Sequence, residues 1–290
     1  MKFLLPSINH DRLGFQKLIE LNVAAAEVSF EDVEVDMSSV TWLDADMCAP
    51  LGAILYRLSA ALNEIRLTGI RPDVEASLCR NGFLSHYGRE KVPDRWGTTI
   101  PYQRFEVKDD RYFAKYIEDQ FIHRHEMPRM SRGLQKKFRE SVFEIFSNAV
   151  IHSRTRMGIF SCGQFFPKKH RLVFSVADLG IGIRENVRLA IGKEMAAYQA
   201  IVWATEGTNT TKKGKIPGGL GLKLLREFVT LNRGVLRIVS DAGYWELSGG
   251  QVKTALFPNP FPGTVVNIEI DTSDQHSYVL SSEISPQDIF

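Results

Sequence analysis

Cysteine is scarce in this chain of 290 residues, which carries only Cys48, Cys79 and Cys162. They lie far apart and at no metal-ligand spacing, so the sequence favours free thiols and excludes a disulfide scaffold. No apolar run approaches the roughly 18 residues of a membrane-spanning helix, and the apolar start of MKFLLPSINHD is too short for a signal peptide. We therefore expect a soluble, cytoplasmic protein.

An excess of charge of one sign is also missing. The net charge is +2, from 36 basic and 34 acidic residues. Such a balance gives no electrostatic signal for nucleic acid or a membrane surface. The chain is 44% hydrophobic and 24% charged, as is usual for globular proteins, and is long enough for two ordinary domains.

A polar stripe follows one face of a predicted helix in the run ESVFEIFSNAVIHS. Glu140, Glu144, Asn148 and His152 recur every four residues, so a helix places them on one side. The opposite side is mostly apolar, with Val142, Phe143, Ile145, Phe146, Ala149 and Val150. Such a stripe either lines a polar cavity or is solvated.

Glycine-rich segments follow this helix at two places. Asp178, Gly180 and Gly182 end a predicted strand, where the chain turns sharply and a ligand could approach closely. A polar segment, EGTNTTKKGKIP, then precedes the run 218–222 (GGLGL) and another helix. Glycines at a helix start expose N–H groups that suit phosphate. The run is neither a P-loop, because no Gly-Lys-[Ser/Thr] follows, nor a dinucleotide-binding fingerprint.

The first hundred residues predict a separate α/β unit. Strands are expected at 33–37 and 65–70, and helices at 18–28, 47–62 and from Pro72 to Asn81. The run VDMSSVTWLDADMCAPLGAIL resembles the central segment of the STAS domain, where a phosphorylatable serine stands at a helix N-terminus. Here Asp46 stands close to that serine, so the serine switch is expected to be absent.

In the second half, the ordered motifs E-x-x-x-N, D-x-G-x-G, G-G-L-G-L and a Gly-Thr before the last strand resemble the GHKL superfamily. Its members include DNA gyrase, histidine kinases and mismatch-repair ATPases. The resemblance covers about 130–272 and implies a Bergerat-fold α/β sandwich, with a mixed sheet covered by helices on one face. It also implies ATP and Mg²⁺ as ligands.

The same resemblance implies roles for individual residues. Asn148 would hold Mg²⁺, Glu144 would activate the attacking water as the catalytic residue, and Asp178 would accept from the adenine amino group. Thr264 would support the adenine contact, and His152 would make a structural hydrogen bond. The remaining nucleotide-binding positions implied are Gly180, Gly182, Thr210, Thr211, Lys212, Gly218, Gly219, Leu220, Gly221 and Leu222.

The expected organisation is a STAS-like domain at 1–105, an ATP-binding domain at 106–272 and a polar, loose tail at 273–290. His123 and His125 lack further ligands at metal spacing and are expected to be solvated. The expected function is slow ATP hydrolysis in which lid closure acts as a switch for a protein partner, reached through the STAS-like domain. A serine or histidine protein kinase and a non-hydrolysing nucleotide sensor are the alternatives, and a homodimer is possible.

Overall fold

A computed structural model describes residues 1–206 and 220–283, which have a mixed α/β architecture. The helices are α1 (Arg12–Ala24), α2 (Cys48–Ala60), α3 (Pro72–Arg80), α4 (Asp110–Ile117), α5 (Arg132–His152), α6 (Gly182–Ile191), α7 (Ala197–Thr205) and α8 (Leu220–Leu231). The strands are β1 (Lys2–Leu4), β2 (Asp32–Asp36), β3 (Glu64–Thr68), β4 (Thr99–Phe105), β5 (Arg129–Met130), β6 (Ile159–Phe166), β7 (Arg171–Asp178), β8 (Val235–Ser248), β9 (Gln251–Asp271) and β10 (Ser277–Tyr278).

The N-terminal part is an α/β unit, as its sequence pattern predicts. Its three strands form a parallel sheet in the order β1-β2-β3. Val33 and Val35 are buried on one face of β2, which explains the period-two alternation of this segment. Helix α2 is apolar around most of its circumference because most of its residues are buried. The first helix begins at Arg12, earlier than the expected 18, because Asp11 caps it.

The second sheet has five strands in the order β4-β6-β7-β9-β8. Every pairing among them is antiparallel, so the expectation of a mixed sheet is wrong at this point. Two of these pairings, β6–β7 and β8–β9, are hairpins, which force antiparallel neighbours. Helices α4, α5 and α8 pack against one face through a core that includes Phe113, Phe138, Phe146, Leu225 and Phe228.

The N-terminal unit packs against the opposite face of this sheet. One continuous core joins its residues, such as Leu51 and Ile54, to Phe160, Cys162 and Val265 of the sheet. The sheet is thus buried on both faces. This burial accounts for β7, whose residues Leu172 to Asp178 are all buried and therefore show no alternation of apolar and polar character.

A polar cluster connects the two parts at the centre of this contact. Asp46 Oδ2 accepts from Asn267 Nδ2 at 2.9 Å and from Ser175 Oγ at 3.2 Å. His10 Nδ1 lies 2.9 Å from Asp44 Oδ2 and 3.3 Å from Asp46 Oδ1. Asp46 is therefore fully buried against the second sheet.

His10 is expected to hold this contact together through its positive charge. Burial alone lowers the pKa of His10, but the carboxylates of Asp46 and Asp44 outweigh it and raise the pKa to about 10. His10→Gln would leave two buried carboxylates without a cation, so we expect a loss of about 3 kcal/mol in the free energy of unfolding near neutral pH.

Urea denaturation of wild type and His10→Gln at several pH values tests this prediction. The stabilisation by His10 is complete below the unfolded pKa of 6.5 and is lost as the pH rises through about 10. Wild type and His10→Gln should therefore converge in stability above pH 10. His125→Gln, at a side chain that is 89% exposed, is the matched control. Equal stability of wild type and His10→Gln at neutral pH would contradict the assignment.

The segment after β9 also packs against the domain. Strand β10 pairs with β5, and Tyr278 lies edge-on to Phe228. Glu283 accepts from Ser131 Oγ and from the Gly133 N–H at the start of α5. The expectation of a loose tail is wrong for residues 277–283, since a carboxylate suits the positive end of a helix. Among the helices described, none has the length and apolar character needed to cross a membrane.

Candidate functional site

Helix α5 presents the polar stripe predicted from the sequence. Ser131 caps its N-terminus by accepting from the Leu134 N–H at 3.1 Å. Phe138, Val142 and Ile145 bury the apolar side in the core. Glu144, Asn148 and His152 are half-buried and line a cavity between the helices and the sheet. The stripe therefore lines a cavity and is not simply a solvated face.

Asp178 lies at the end of β7 on the wall of the same cavity, in register with Thr264 of β9. The side chain is buried, and within the described part of the chain Oδ1 has no hydrogen-bond partner. Burial raises the pKa of Asp178 to about 7, against the opposing effect of the Ser153 side chain and the backbone of Gly180 and Thr264. A buried acceptor without a donor is costly unless a ligand supplies one.

The turn after Asp178 depends on its glycines. A Cβ at Gly180 would lie 2.2 Å from the backbone oxygen of Ser153, so no larger residue fits there. Gly182 has φ +73°, a left-handed conformation that favours glycine. The close passage of the chain beside Ser153, at the end of α5, brings the strand end and the helix face together at one site.

The cavity encloses about 130 Å³, which suits a small flat group better than a whole nucleotide. A larger ligand would therefore extend out of it. The remaining lining is mostly apolar and comes from the sheet and from α6, α7 and α8, including Val176, Ile183, Val187, Trp203, Leu222, Ile238 and Val266. A ring can thus lie between apolar walls with its polar edge toward Asp178.

The structure brings together many of the residues expected from the sequence. Glu144, Asn148, Asp178, Leu222 and Thr264 line one cavity although they are spread over more than half of the C-terminal part. Gly180 and Gly182 shape its edge, and Leu220 and Gly221 form the first turn of α8. The expected positions that lie outside the described residues are Thr210, Thr211, Lys212, Gly218 and Gly219.

Several residues of the site were not foreseen. Asn186 lines the cavity from α6, a helix absent from the sequence-based expectation, and donates to the Gly182 oxygen at 2.8 Å. Ser240 Oγ accepts from the Ile183 N–H at 2.8 Å and lies 2.9 Å from Thr264 Oγ1. The four-residue spacing of Ile183, Val187 and Ile191 was the available signal for α6, whereas Ser240 has no sequence signature.

Metal binding by the histidine pair is not supported in the described ranges. No group of three or more His, Cys, Asp or Glu side chains in residues 1–206 and 220–283 is arranged to hold a metal ion. His123 Nε2 lies 3.8 Å from Glu118 Oε1, and the His125 side chain is exposed. These histidines are surface residues, in agreement with their expected solvation.

The chain was compared with protein-family models and with curated proteins. No protein-family model matches the chain, and no curated protein matches it either. The residues of the site and their geometry are therefore the evidence for its function.

Proposed function

We propose that the cavity binds the adenine end of ATP and that residues 106–272 form a GHKL-type, Bergerat-fold ATP-binding domain. The observation that carries the proposal is the buried Oδ1 of Asp178, which lacks a donor among the described residues. An adenine amino group supplies such a donor, and the apolar walls suit its ring. The turn at Gly180 and Gly182 leaves the close approach that a base needs.

The residues on α5 fit the other end of the nucleotide. Asn148 would offer its amide oxygen to Mg²⁺, a cation that prefers oxygen ligands and usually binds together with substrate phosphates. The metal, when bound, would neutralise charge on the phosphates. The N-terminus of α8 follows the glycine run and would offer backbone N–H groups to the phosphates, with Leu222 packing beneath.

Glu144 stands one helical turn before Asn148 on the same wall. A carboxylate one helical turn from a metal ligand can accept a proton from an attacking water. We therefore propose slow hydrolysis of ATP, with the segment that contains Thr210, Thr211 and Lys212 as a lid whose closure signals to a protein partner.

The N-terminal part supports a regulatory role for this domain. Its three-stranded parallel sheet and its helices fit a STAS-like unit. It packs on the reverse face of the sheet whose strands β7 and β9 carry Asp178 and Thr264. Because Asp46 is buried in that contact, a partner would have to use another surface of the unit.

Following the γ-phosphate of labelled ATP tests the proposal. Purified protein is incubated with Mg²⁺ and ATP labelled in its γ-phosphate, and bound ATP, free phosphate and protein-bound label are measured separately. Free phosphate with unlabelled protein supports hydrolysis. Label transferred to a protein would favour a serine or histidine kinase instead, and bound ATP without turnover would favour a sensor. Failure to bind any adenine nucleotide would overturn the proposal.

A further inference from the structure

A second cavity lies in a different part of the molecule, between α2, β3 and β4. It has a volume of about 760 Å³, within the usual range for small-molecule sites. Its walls include Tyr56, His86, Tyr87, Tyr102 and Arg104. None of these residues belongs to the cavity that contains Asp178. We call this second cavity the tyrosine groove.

Aromatic rings give the tyrosine groove flat and fixed walls. The rings of His86 and Tyr102 meet edge to face with centroids 5.1 Å apart, and Phe83 supports both Tyr102 and Tyr87 from behind. Helix α2 approaches Tyr102 closely, since a Cβ at Gly52 would lie 2.2 Å from the tyrosine hydroxyl. Rings held in this way favour a planar aromatic ligand.

Arg104 supplies the positive charge of the groove. Its Nε donates to the Met157 oxygen at 2.8 Å, and its guanidinium stacks on the Tyr56 ring at 4.2 Å from the centroid. In the described ranges, no carboxylate lies within ion-pair distance of Arg104. The guanidinium is thus held in position while its terminal nitrogens remain available for a bidentate contact with an anion.

The other charged groups at the groove do not cancel this arginine. Glu64 stands at the rim and lies 2.9 Å from Arg66 Nη2, so its charge already has a partner. Burial and the charge of Arg104 lower the pKa of His86, which therefore stays neutral near neutral pH. Glu64 and Arg104 balance in formal charge, but among the described residues only Glu64 already has an ion-pair partner.

We propose that the tyrosine groove is a binding site for a small aromatic carboxylate, whose ring lies among Tyr56, Tyr102 and His86 and whose carboxylate pairs with Arg104. The proposal does not depend on the nucleotide function of the first cavity. It assigns a ligand to the N-terminal unit, where a bound small molecule would contact both α2 and the edge strand β4 of the larger sheet.

Titration with 2-naphthoate tests this site in the full chain without nucleotide, by calorimetry. Saturable binding of one molecule per chain is expected. Arg104→Gln should weaken it at least about tenfold, since a charge-assisted pair is lost. Arg71→Gln, which removes an exposed arginine that does not line the groove, should leave the affinity unchanged. The uncharged 2-naphthamide and the non-aromatic cyclohexanecarboxylate should each bind at least about tenfold more weakly.

A second variant keeps the test decisive if Arg104→Gln fails to fold. Ser59 lines the groove from the exposed side of α2, so Ser59→Trp should block the site without touching the core. Thermal unfolding establishes that each variant is folded. The proposal is overturned if 2-naphthoate does not bind saturably, if it binds folded Arg104→Gln or folded Ser59→Trp as tightly as wild type, or if 2-naphthamide binds equally well.

Discussion

Asp178→Asn is expected to weaken ATP binding by roughly a hundredfold, since a buried polar group left without its partner costs up to about 3 kcal/mol. The backbone N–H groups of Gly180 and Thr264 act on this carboxyl group. An asparagine would turn its oxygen toward them and its NH₂ toward the cavity. Two donors, the side-chain NH₂ and the adenine amino group, would then face each other. Calorimetric titration with Mg²⁺ and ATP measures the loss.

The same substitution should stabilise the protein without ligand. Asp178 has a pKa of about 7 in the folded protein and an ordinary value of 3.8. The folded state therefore binds a proton that the unfolded state has lost, and stability falls as the pH rises from about 4 to 7. Asparagine cannot ionise, so Asp178→Asn should remove this fall, with a gain of up to roughly 4 kcal/mol above pH 7.

Binding and stability thus change in opposite directions, which separates loss of a ligand contact from misfolding. Asp178 and Asp271 lie at opposite ends of the pairing between β7 and β9. Asp271→Asn is therefore the control and should leave the affinity for ATP unchanged. If Asp178→Asn binds ATP as well as wild type does, the adenine assignment is wrong. If it binds poorly but is also less stable at every pH, the carboxyl group is structural.

Glu144→Ala is expected to abolish most of the ATP turnover while ATP still binds. A general base contributes about 10²- to 10⁴-fold to a rate, and the alanine cannot accept the proton of the attacking water. The base is not an adenine contact, so the affinity for ATP should stay within a few-fold of wild type. Release of labelled phosphate under single-turnover conditions, beside a binding titration, measures both quantities.

Glu140→Ala provides the matched control for this experiment. Glu140 stands one turn earlier on α5, where it pairs with Lys137 at 3.1 Å at an exposed position. It does not line the cavity, so its removal should leave turnover unchanged. Equal rates for Glu144→Ala and wild type would exclude Glu144 as the base, and a parallel loss of binding would assign it to nucleotide contact.

Strands β7 and β9 lie between the N-terminal unit and the first cavity. On β7, Ser175 faces the unit while Val176 and Asp178 face the first cavity. On β9, Asn267 faces the unit while Thr264 and Val266 face the cavity. The same two strands therefore contact the unit on one face and form the candidate nucleotide site on the other.

Local chemistry was readable from the sequence because it depends on spacing along the chain. Four-residue spacing placed Glu144 and Asn148 on one helix face, and the turn glycines marked the end of β7 at Asp178. The sequence also indicates the hairpin β6–β7, because two β-rich runs flank Pro167 to Lys169, where the structure has a short turn. Helix α6 was missed although its apolar residues Ile183, Val187 and Ile191 recur at the four-residue spacing of a helix.

What the sequence by itself determined is the helix face that carries Glu144 and Asn148 and the strand end at Asp178. Tertiary structure alone decided that the N-terminal unit covers the reverse face of the larger sheet, that Asp46 meets both His10 and Asn267 there, and that Tyr56 and Arg104 share a groove. The physical reason is range: periodicity records which side of an element is buried, but not which distant element buries it.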